Sequence, residues 1–160
     1  MTNIHIAPLP QAFLTRVRNE GIDDLGQPVK RFRSVEGGEP CRDVLRRARP
    51  GEELILASFS PFAQVGPYHE YGPVFVLAND ADEPARDRLP TDGYFRGQLV
   101  VRAYGEDESI VDAAMVTAAD AGETIARYLG SDDVAFVHAR FPVYGCFALR
   151  IDRAASQREM

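Results

Sequence analysis

Apolar residues recur along this chain mostly at every second position, and only two segments show helical spacing. Residues 8–18 read as a short helix with Phe13, Leu14 and Val17 turned inward, and residues 119–129 as a second helix stopped at Gly130. Strands are expected over residues 3–6, 29–33, 41–46, 53–59, 73–78, 98–104, 110–116, 134–140 and 145–152. Gly105-Glu106-Asp107-Glu108 has the length and composition of a hairpin turn, and Phe141-Pro142-Val143-Tyr144 would close another. Many short strands with two main helices predict an α+β fold with a mostly antiparallel sheet. The expectation is a single domain over residues 1–153, followed by a flexible tail at 154–160.

Two connections are longer than a compact domain needs. Residues 79–96 are rich in Asp, Pro and Arg and read as a mobile surface loop. Residues 60–72 differ, because they carry Pro61, Phe62, Tyr68 and Tyr71 where a free linker would carry small polar groups. That loop is expected to pack against something. It also holds His69-Glu70 between two tyrosines, and His69 and Tyr71 are its pocket candidates.

Strand alternation gives the most useful inference. Val100, Arg102 and Tyr104 fall on one face of their strand, and Phe136, His138 and Arg140 on one face of theirs. In the last strand Cys146, Ala148 and Arg150 oppose Phe147, Leu149 and Ile151. If these strands are neighbours, Arg102, Tyr104, His138, Arg140, Cys146 and Arg150 share a surface, with residues 60–72 folded over it. Arginines converging beside aromatic rings suit a small anionic ligand, a carboxylate or a phosphate. The competing reading is a solvated sheet face whose arginines pair with nearby acids.

Composition narrows the classes. The formal net charge is −6, against the basic footprint that nucleic acid requires. No apolar run approaches the ~20 residues of a membrane span, and the N-terminus has no signal-peptide pattern, so a cytoplasmic protein without membrane partners is expected. Of 18 basic residues 17 are arginine, and they concentrate early: residues 16–49 hold nine basic and six acidic side chains, whereas 79–133 hold five and thirteen.

Pro40-Cys41-Arg42, Gly72-Pro73-Val74-Phe75, Arg102-Ala103-Tyr104 and Gly145-Cys146-Phe147, with Arg150 and Arg153 following, resemble in order and spacing a bacterial family known as domain of unknown function 1203. The resemblance runs over the chain from about residue 3 to residue 153 and implies a single-domain protein of similar length. It carries over no activity and no catalytic residue.

Three function classes follow. The first is binding, with or without chemical conversion, of a small anion by Arg42, Tyr71, Arg102, Tyr104, His138, Arg140, Cys146 and Arg150. The second is a protein-interaction or structural module, a homodimer formed through a sheet edge. The third is thiol chemistry at Cys41 beside the cation of Arg42, with His69 or His138 as base. The two cysteines and the histidines lack the paired spacing of a zinc site, and no phosphate loop or hydrolase motif is present, so neither metal nor cofactor is expected.

Overall fold

The alternating strands sort into two five-stranded sheets in the computed structural model, which describes residues 3–155. In chain order they are β1 (Ile4–Ala7), α1 (Gln11–Thr15), a π-helical turn (Arg16–Glu20), β2 (Lys30–Arg33), β3 (Pro40–Cys41), β4 (Arg46–Arg47), β5 (Glu53–Phe59), β6 (Gly72–Leu77), β7 (Gln98–Tyr104), β8 (Ile110–Thr117), α2 (Ala121–Leu129), β9 (Phe136–Arg140) and β10 (Phe147–Arg153). The first sheet has the order β1-β10-β9-β7-β8 and the second β2-β5-β6-β3-β4. All pairings are antiparallel except β3 with β6. The fold is therefore α+β and mostly antiparallel, as the pattern predicts.

Each sheet carries one helix. Ala121, Ile125, Tyr128 and Leu129 recur at the spacing of one helical face, so α2 buries that stripe against Leu99, Val101, Val137 and Leu149. Phe13 of α1 and Val17 of the π turn, four residues apart, cover Ile55, Ala57, Val74 and Val76 of the second sheet. The helix runs two residues past its expected end, and Gly21, with a left-handed φ of 69°, terminates it. Arg18 then ties the π turn to the second sheet through the Leu77 carbonyl (3.1 Å), Asp43 (2.8 Å) and Asp80 (2.7 Å). Phe147 joins the sheets, its ring centroid 5.5 Å from that of Phe59.

Two expectations change. The strand expected over residues 41–46 is instead two short strands separated by a turn, with Leu45 held at φ 53°. The connection at 79–96 is anchored at both ends: Arg86 exchanges main-chain and side-chain bonds with Ile6, and buried Tyr94 donates its hydroxyl to the Ala148 carbonyl at 2.8 Å. The expected tail lies largely outside the described residues. None of the helices described is long and apolar enough to cross a membrane.

Candidate functional site

Pairing in the first sheet places the chemistry-bearing residues in register. Arg102 of β7 lies opposite His138 of β9, and His138 lies opposite Arg150 of β10, so an Arg–His–Arg row crosses three strands. One detail differs from simple alternation. A bulge between Phe147 and Leu149 inserts an extra residue, which puts Phe147 on the His138 face and sends Ala148 with Leu149 into the core under α2.

His138 is fully buried among rings. Tyr104, Phe147, Phe62 and Phe136 stand with centroids 4.8, 5.0, 5.1 and 5.1 Å from the imidazole. Neither ring nitrogen has a hydrogen-bond partner among the described residues. Burial, reinforced by the charges of Arg150 and Arg102, pulls its pKa down to about 3, so the ring is neutral near pH 7. A polar group buried without a partner costs about 1–3 kcal/mol, which an apolar side chain here would avoid.

The loop over residues 60–72 covers this face, as its aromatic content predicts. Phe62 packs on Tyr104 and His138, and Glu70 forms an ion pair with Arg140. The amides of Ala63 and Gln64 donate to the carboxylate of Glu108 at 3.1 and 2.6 Å. Glu108, which the sequence shows only as a turn residue, is thus the loop's main anchor, and its left-handed φ of 63° aims it there.

His69 and Glu70 do not form an acid–base dyad. The Glu70 carboxylate goes to Arg140, whereas His69 Nδ1 donates to the Gln64 carbonyl at 2.8 Å and Nε2 lies 3.3 Å from the Ser60 hydroxyl. Both histidine nitrogens therefore serve the loop's own conformation. Tyr71 packs edge-on against His69 at 5.2 Å and stays half exposed.

Arg42, Arg140 and Cys146 gather instead at the connection between β9 and β10. Arg42 is 4% exposed; its Nε donates to the Phe147 carbonyl at 2.8 Å and its Nη1 to the Pro40 carbonyl at 2.7 Å. Its guanidinium lies 5.1 Å from the Phe141 ring and beside the Cys146 thiol. Arg140, also buried, donates to the Gly145 carbonyl at 3.0 Å and leaves Nε without a partner.

Two arginines absent from the sequence reading complete this end. Arg47 lies 5.4 Å from the Phe141 ring, held by the carbonyls of Gly38 (2.7 Å) and Tyr94 (3.2 Å). Arg96 neighbours Arg47 and approaches Gly38 so closely that a β-carbon there would stand 3.2 Å from its Nη2. No carboxylate among the described residues reaches ion-pair distance of Arg42, Arg47 or Arg96. Burial lowers the pKa values of Arg42, Arg140 and Arg47, the last also through Arg96, yet a guanidinium remains charged. The signals for these two were the doublet Arg46-Arg47 and the aromatic run Tyr94-Phe95 before Arg96.

The proposed thiol nucleophile has lost its physical basis. Cys41 is fully buried in the core of the second sheet, and burial, with the charge of Asp43 next, pushes its thiol up to about 12. Arg42, the cation expected to activate it, points instead to the first sheet. Both cysteines are free thiols, and Cys146 is the half-buried one.

Arg150 spends its guanidinium on Asp152 (3.0 and 2.9 Å) and on the face of Phe136 at 4.0 Å. It also borders a cleft of about 370 Å³ that runs between residues 7–10 and 59–63 with Phe147 in its wall. A second cleft, of about 630 Å³, lies under the 79–96 connection beside Arg46 and Arg49. The predicted site is thus divided: Arg102, Tyr104, His138 and Arg150 at one end, Arg42, Arg140 and Cys146 at the other.

No curated protein and no solved structure matches the chain. A family profile described as protein of unknown function (DUF1203) matches residues 38–153, which hold β3 to β10 and every residue of both ends, and the chain belongs to that family.

Proposed function

We propose that the protein binds a small anion, a carboxylate or a phosphate, at the end formed by Arg42, Arg47, Arg96 and Arg140. The observation that carries this reading is charge without countercharge: the neighbouring guanidiniums of Arg42, Arg47 and Arg96 have no carboxylate at ion-pair distance among the described residues, and Arg140, which shares Cys146 as a neighbour with Arg42, has that of Glu70. Arg42 and Arg47 are positioned by main-chain carbonyls, so their orientation is fixed while their charge stays available. Arg140 already donates to a carboxylate of the loop, that of Glu70. The anion selected this way owes nothing to bulk charge, which is negative.

A thermal-shift series at fixed ionic strength tests the proposal, with inorganic phosphate and citrate as probes. Ligand at 100 times its dissociation constant adds ~2.7 kcal/mol. For a domain of this size that raises Tm by about 5–10 °C. The shift is expected to vanish in Arg47→Met and Arg96→Met. Equal shifts in those variants, or none with either anion in the parent, would overturn the reading.

A second reading rests on β8. This edge strand of eight residues has no lysine or proline to block pairing and leaves Val111 and Met115 exposed, Met115 at 60%. A homodimer through antiparallel β8 pairing would cover it. Sedimentation of the parent and of Met115→Lys across a concentration range decides, and a monomer at every concentration removes this reading.

A further inference from the structure

We infer that the ring of Phe62 fills the seat of a second ligand, a small apolar monocarboxylate that would contact His138 between Arg102 and Arg150. The site is separate from the arginine end described above and does not depend on it.

The polar groups of this largely aromatic seat are His138 and the two flanking arginines. His138 forms its floor with two unpartnered nitrogens, the register sets Arg102 and Arg150 on either side, and Tyr104 and Phe136 close one end. An apolar plug leaves both imidazole nitrogens without a partner. A carboxylate would take a proton from neither nitrogen but would accept a hydrogen bond from the neutral imidazole and from the guanidiniums. Phe62 belongs to a segment without regular structure, so its displacement breaks no strand or helix.

The exit route is built. Phe62 is at once the cap on His138 and a wall of the 370 Å³ cleft, so its ring can turn into that space. The same cleft offers Leu9, Pro10, Phe59 and Phe147 to the apolar body of the ligand.

Charge sets the class. Arg102 and Arg150 bring two positive charges and Asp152 removes one through its pair with Arg150. Around the covering loop, Glu108 is engaged by the amides of Ala63 and Gln64, His69 by the Gln64 carbonyl, and Glu70 by Arg140. With Arg150 paired to Asp152, Arg102 is the flanking cation without a carboxylate at ion-pair distance among the described residues, and one unpaired cation fits a monoanion better than a phosphate dianion.

Benzoate is the probe, titrated into the full chain by calorimetry with ligand-observed NMR as a second readout. Binding is expected to be saturable, at least tenfold weaker in His138→Leu and in Arg102→Met, and at least threefold tighter in Phe62→Ala. Phe62→Leu keeps the loop packed if the alanine variant fails to fold, and it is expected to tighten binding in the same direction. Unchanged affinity in His138→Leu and Arg102→Met would overturn the inference. Benzoate binding lost through Arg47→Met but kept in Arg102→Met would also overturn it, by placing the ligand at the arginine end and leaving the proposed function intact.

Discussion

Replacing His138 with leucine is expected to make the protein more stable, and increasingly so as pH falls. The imidazole is fully buried and both nitrogens lack partners, so its removal eliminates a penalty of about 1–3 kcal/mol. Leucine is close in volume, and a shape change of this kind in a packed core costs under ~1.5 kcal/mol. The net at pH 7 is about 1 kcal/mol in favour of the variant, or about 2–4 °C in Tm.

Acid enlarges the gap. In the unfolded chain His138 titrates near 6.5, whereas in the fold it stays neutral to about 3. Its folded pKa is depressed, so the native state binds fewer protons than the unfolded state throughout that window. Stability is full above pH 6.5 and falls by about 1.4 kcal/mol per pH unit down to about 3. Between pH 7 and pH 5 the parent therefore loses about 2 kcal/mol from this one group, and His138→Leu does not. Urea denaturation of both proteins at pH 7 and pH 5 measures the difference, in which the other titrating groups cancel. A variant less stable than the parent at pH 7, or a difference that stays constant between the two pH values, would refute the picture of a neutral, unpartnered imidazole.

Three further outcomes follow from the same geometry. Glu70→Gln removes the charge that latches the loop to Arg140; global stability should fall by no more than ~1 kcal/mol, because Glu70 is partly exposed, while hydrogen exchange at Ala63 and Gln64 accelerates. Iodoacetamide at pH 8 should modify Cys146 and leave Cys41 untouched until urea unfolds the chain, as peptide mapping would show. Gly37→Ala should cost about 1–3 kcal/mol in urea denaturation, since Gly37 has φ 76° and an added β-carbon would sit 2.6 Å from the Ala48 carbonyl oxygen.

What the sequence disclosed depended on locality. The faces of Arg102, His138 and Arg150 were legible because period-two alternation fixes them and the β9–β10 hairpin keeps two of the strands adjacent, whereas the β7–β9 pairing that completes the row spans β8 and α2 and is not written in local pattern. The bulge after Phe147 was not, because one inserted residue leaves no mark on the alternation and yet reverses it. The division into two sheets was hidden for a related reason. Pairing of β3 with β6, across more than thirty residues and in parallel, is a long-range choice that local pattern does not encode. The loop over residues 60–72 announced its packing through Phe62 and the tyrosines but not its anchor, since Glu108 looks like any acidic turn residue until its two amide partners are seen. For the arginines, sequence supplies the guanidinium and says nothing of what neutralises it.

The arginines of this chain differ in what answers them. Two arginines that hold elements together are answered by carboxylates: Arg18 meets Asp43 at 2.8 Å, and Arg46 meets Glu52 through two bonds at 2.8 and 2.9 Å, whereas Arg153 bridges elements through the Leu129 and Ser131 carbonyls alone. The chain therefore has acids to spare for that task, and an excess of them overall. Arg42, almost wholly buried, and Arg47, partly buried, receive carbonyl oxygens instead, and Arg42 bears the larger desolvation of the two. A carbonyl fixes the direction of a guanidinium without cancelling its charge. The unanswered charge at this end is the feature on which the proposed anion site rests, and the Arg47→Met and Arg96→Met variants test it.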